Sequence, residues 1–152
     1  MNEMLNKEDE LMLKSIRMLF IAMAGMLSLL LLLTIVFTQI LGPMRPELNQ
    51  HRTWLIVGVA VFSFICTLLA KRSIIRAIEA AKNSSNLLSE KLTKYRSALI
   101  IYLALSELPV ICCLIISFLT GDFVFQVFAA VLLGYLLAEM PKREKVLRQL
   151  EG

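Results

Sequence analysis

Apolar residues in this chain come in four long blocks separated by short polar segments, without the strict alternation of half-buried strands. The first block, residues 18–41, runs 24 residues without a charge. At about 1.5 Å of rise per residue it is long enough to cross about 30 Å of hydrocarbon with some tilt. Trp54 opens the second block, residues 54–70, where an aromatic can anchor at the lipid–water interface, and Lys71 and Arg72 mark its exit. The third block, residues 98–120, is uncharged except for Glu107. Thr120-Gly121-Asp122 reads as a tight turn into the fourth block, residues 123–138. Glu139-Met140-Pro141 closes that block, because proline cannot extend a helix without losing a hydrogen bond and clashing with the preceding turn. The pattern predicts an all-α polytopic membrane protein: one domain, residues 1–152, with four transmembrane helices.

The polar segments refine this picture. Residues 42–53 hold Pro43, Pro46 and the only histidine, His51, and read as a loop. Beyond Lys71 the helical pattern continues, with Ile74, Ile78 and Ala81 on one face up to a break at Asn83-Ser84-Ser85-Asn86, and Leu88, Leu92 and Tyr95 resume it. The expected arrangement is a cytoplasmic helical hairpin extending the second and third helices. The competing arrangement is one continuous amphipathic helix on the lipid surface. Residues 142–150 place Val146, Leu147 and Leu150 among cations, the pattern of a short amphipathic helix at the membrane surface. The leader before residue 18 carries four acids against three bases and no small-residue cleavage pattern follows the first block. That block is therefore expected to be retained as a helix rather than removed as a signal peptide.

Composition agrees with lipid as the solvent. Apolar residues make up 58% and charged residues 18%, against about 45–50% and about 25% in soluble globular chains. The formal charge of +4 gives no reason to expect nucleic acid as a partner, because the cations flank apolar blocks. They instead set orientation. Three Lys or Arg precede the first block, seven lie between the second and third, and four follow the fourth; only Arg45 and Arg52 fall on the other side. Both termini and the central loop are thus expected in the cytoplasm, with the chain in the inner (cytoplasmic) membrane. Cys66, Cys112 and Cys113 fall inside apolar blocks without metal-ligand spacing, so neither a metal nor another cofactor is expected.

Glu107 is the one costly residue. It lies about ten residues into the third block, hence about 15 Å deep. A carboxylate at that depth costs several kcal/mol and commonly marks an ion or proton pathway. The protonated acid is the expected form, since no Lys, Arg or His lies within any block. Ser28 and Ser63 sit at compatible depths. Pro109 has no N–H for the carbonyl of Leu105, leaving an acceptor close to Glu107. Glu107, Ser63, Ser28 and the Leu105 carbonyl are therefore the candidate ion-binding set. In the structural alternative, Glu107 is a protonated interhelical contact, with polar pairs in membranes contributing about 0.6–2 kcal/mol. The serines can equally hydrogen-bond their own helix.

One family resemblance rests on Ala77-Ile78-Glu79-Ala80-Ala81 and on Lys94-Tyr95-Arg96-Ser97-Ala98-Leu99-Ile100-Ile101-Tyr102-Leu103-Ala104-Leu105-Ser106-Glu107. Across residues 54–120 the chain resembles the helical hairpin of the ATP synthase c subunit, a proteolipid. In that family a basic cytoplasmic loop precedes a helix with a mid-membrane glutamate. The resemblance implies that Glu107 carries a proton or sodium ion.

Ala130, Gly134 and Ala138 recur every four residues on the fourth helix, a spacing that allows two helix backbones to approach closely. The face can pack within the bundle, the expected arrangement, or join two protomers or another membrane protein. Gln126 and Tyr135 lie nearer the interfaces and carry no expected role. No zinc-protease, serine-hydrolase or phosphate-loop motif is present, so an enzyme is not expected. Two functions remain: a non-enzymatic membrane subunit or accessory component working through helix packing, and a proton or cation conductor using Glu107.

Overall fold

The computed structural model describes residues 7–82 and 88–139. They form α1 (Lys7–Leu41), a 3-10 helix (Pro46–His51), α2 (Arg52–Lys82), α3 (Leu88–Thr120) and α4 (Phe123–Ala138), with no strand among the described residues. Three helices are long and apolar enough to cross a membrane, and α4 is a shorter apolar helix. The chain thus has the all-helical character of a membrane protein. α2 and α3 run past their apolar blocks to Lys82 and from Leu88, and they pack on one another. The Asn83–Asn86 break and the amphipathic segment at 142–150 lie outside the described residues.

α3 is the central helix, in contact with α1, α2, α4 and the 3-10 helix. Of its apolar window 39% is buried, against 17% for α1 and α2. Each neighbour supplies a seam at helical spacing. Ile16, Phe20, Ala24 and Leu27 form the seam of α1; Val59, Cys66 and Ala70 that of α2; Phe125, Ala129, Leu133 and Leu136 that of α4. They close on Tyr95, Leu99, Leu103, Val110 and Cys113 of α3. Two of these seam residues are small, Ala70 and Ala129, and both are fully buried.

The outside of the bundle is as apolar as the inside. Met18, Leu32, Trp54, Phe64, Ile115 and Val131 are all more than half exposed. Soluble monomers rarely carry contiguous apolar surface beyond a few hundred Å². Such a surface suits hydrocarbon, where it costs nothing.

At one end the loop after α1 is tied to the α3–α4 turn. The Arg45 amide donates to the Leu119 carbonyl at 2.7 Å, and the Asn49 side chain donates to the Thr120 carbonyl at 3.0 Å. Asp122 caps α4 by accepting from the Val124 amide at 3.0 Å, and it pairs with Arg52 at 2.6 Å. Gly42 and Gly121 both take positive φ, +72° and +70°, to turn the chain there.

Candidate functional site

α3 continues as a helix through Pro109, so the Leu105 carbonyl has no proline N–H to receive. Glu107 lies one turn before the buried Val110 and is half-buried. Its Oε1 is enclosed and has no hydrogen-bond partner. The Ser63 hydroxyl on α2 is likewise enclosed without a partner, while the Ser63 carbonyl accepts from the Thr67 hydroxyl at 2.8 Å. The Ser28 hydroxyl donates to the Ala24 carbonyl of its own helix at 2.8 Å.

The candidate set is therefore placed on three helices without being joined. Counted from the Arg52–Asp122 pair, Ser63 is eleven residues down α2 and Glu107 fifteen residues down α3. The four-residue difference sets them about 6 Å apart in height. No hydrogen bond links Glu107 to either serine. Ser117, further along α3, is a second enclosed hydroxyl without a partner.

A second polar cluster joins three helices at the opposite end from Asp122. Glu139, just past α4, accepts from the Tyr102 hydroxyl of α3 and from the Tyr135 hydroxyl at 2.6 Å. Lys71 of α2 stands 3.9 Å from the same carboxylate and 5.5 Å from the centre of the Tyr135 ring, a cation–π distance. The cluster lets the tip of Tyr102, itself buried, find a charged acceptor. Sequence reasoning assigned Tyr135 no role. Its spacing of four from Glu139 was the available signal, because residues so spaced share a helix face.

The small-residue face of α4 turns away from the bundle. Ala130, Gly134 and Ala138 are all exposed, and a Cβ added at Gly134 would meet nothing within 4 Å. The expectation that this face packs inside the bundle is corrected: Ala129, Leu133 and Leu136 occupy that side instead. Gln126, expected near an interface, is buried. No protein-family model, curated protein or solved structure matches the chain.

Proposed function

We propose that this is a small, non-enzymatic integral membrane protein that crosses the bilayer four times and works by packing α4 laterally against a second copy or another membrane helix. The observation that carries the reading is the outward Ala130–Gly134–Ala138 face, open at Gly134. In lipid, helix association depends on close van der Waals packing, and small residues four apart allow it.

Four spans are supported by the two ion pairs that bracket the bundle. Arg52 and Lys71 are nineteen residues apart on α2, and Asp122 and Glu139 seventeen apart along α4. At about 1.5 Å per residue these separations are about 28 and 26 Å, close to the hydrocarbon thickness of about 30 Å. α4 is short, yet it reaches from one charged plane to the other. With fourteen of sixteen Lys and Arg on the side of the termini, both termini and the α2–α3 hairpin lie in the cytoplasm.

Gly134→Leu tests the reading without disturbing the protomer, since the added side chain points into open space and leucine favours helix over glycine by about 0.8–1 kcal/mol. The expected outcome is an unchanged or raised melting temperature with loss of the oligomer in single-molecule photobleaching. An equally oligomeric variant overturns lateral packing through α4.

A second reading is favoured by the enclosed, unpartnered oxygens of Glu107 and Ser63. In it Glu107 exchanges a proton or sodium ion within the membrane, in the manner of a c-subunit-like proteolipid. Glu107→Gln then abolishes proton or sodium flux into liposomes. Flux at the empty-vesicle level in both parent and variant eliminates this reading.

A further inference from the structure

At the basic end of the bundle an open groove of about 570 Å³ runs between α1 and α3, lined by Leu11, Lys14, Ser15, Met18 and Ala22 on one side and Arg96 on the other. This lies in the size range of ligand pockets, about 300–1,000 Å³. We propose that the groove binds one anionic phospholipid, with its phosphate between Lys14 and Arg96 and an acyl chain along Met18 and Ala22. The proposal rests on the membrane reading above.

The groove is graded along its length. Arg17 is the last charge on α1 before the uncharged stretch that begins at Met18. Arg96 is the last charge on α3 before its apolar block. The cations of both helices therefore stand at one rim, and Met18, Leu19 and Ala22 of α1 form the apolar wall beyond them. Among the described residues that line the groove, Lys14 and Arg96 carry the charge, and both are exposed. A guanidinium offers paired donors to phosphate oxygens, and the Lys14 ammonium adds a second charge. A free phosphate would use the cations and leave the apolar walls empty. A zwitterionic lipid would fill the walls but bring its own cation to the basic rim. An anionic lipid satisfies both parts.

The test uses the full chain in detergent micelles, titrated with phosphatidylglycerol or with phosphatidylcholine of the same acyl chains and read by native mass spectrometry. Phosphatidylglycerol is expected to be retained at least about tenfold better, from about 1 kcal/mol per basic residue near the lipid phosphate. Lys14→Gln with Arg96→Gln removes that preference. Ala22→Phe keeps both cations, fills the apolar half and also weakens retention. Arg72→Gln with Arg76→Gln, exposed cations on α2, leaves it unchanged. Lys14, Ala22, Arg72, Arg76 and Arg96 are all exposed, so helical circular dichroism serves as the control for folding.

Equal retention of the two lipids, an equal loss in the α2 variant, full retention in Ala22→Phe, or displacement by millimolar inorganic phosphate each overturns the assignment. Alkaline extraction of the native protein from vesicles tests the membrane reading separately. Resistance to extraction with no lipid preference therefore rejects the groove alone.

Discussion

Gly121→Ala is expected to destabilise the bundle by about 2–4 kcal/mol, read as a loss of thermal stability in detergent. Two costs combine. The residue holds φ at +70°, a left-handed conformation that costs an L-residue about 1–2 kcal/mol. The new Cβ would also stand 2.9 Å from Pro43 Cβ and 3.5 Å from Pro43 Cα. The proline ring cannot swing aside alone, because Arg45 and Asn49 tie the same loop to Leu119 and Thr120. Relief of the contact therefore pulls on those hydrogen bonds. Gly42→Ala provides the comparison: φ is +72°, but nothing lies within 4 Å, so only the conformational cost of about 1–2 kcal/mol is expected. Equal losses in the two variants would show that the Pro43 contact contributes nothing.

Glu139→Ala is expected to cost about 1–3 kcal/mol, because it leaves the hydroxyl of the buried Tyr102 without its acceptor. The same change releases Tyr135 and Lys71, so α2 at Lys71, α3 at Tyr102 and the end of α4 lose their common partner. Tyr102→Phe removes donor and need together and should cost less. In the double variant the two losses should not add, since both break one hydrogen bond. Additive losses in a thermal or denaturant titration would place Tyr102 and Glu139 in separate interactions.

The helix ends were legible wherever an apolar block met a turn former. Gly42, Gly121 and the Glu139 boundary all coincide with ends of α1, α3 and α4. Orientation about each helix axis was not. α4 is apolar all round, so its sequence shows no polar face to mark the outside. The small-residue row at Ala130, Gly134 and Ala138 was visible, but its direction was set by the larger Phe125, Leu133 and Leu136 filling the space against α3. The Tyr102–Glu139–Lys71 contacts were hidden for a related reason. They join residues 37 positions and more apart, and their meeting depends on the axial register of three packed helices. Glu107 was found because a lone acid in a greasy helix is conspicuous in any sequence. Whether Ser28 or Ser63 faces it is again a question of rotation, and Ser28 turns back to its own backbone.

The claim on which this account depends is a fourfold crossing with the residues 42–51 loop outside and the α2–α3 connection inside. Single cysteines at Glu47, which is exposed, and at Ser85 test it with a membrane-impermeant thiol reagent, because the native cysteines lie within apolar blocks. In intact cells Glu47→Cys should label at once, and Ser85→Cys only after the membrane is opened. Labelling of Ser85→Cys from outside would contradict the account.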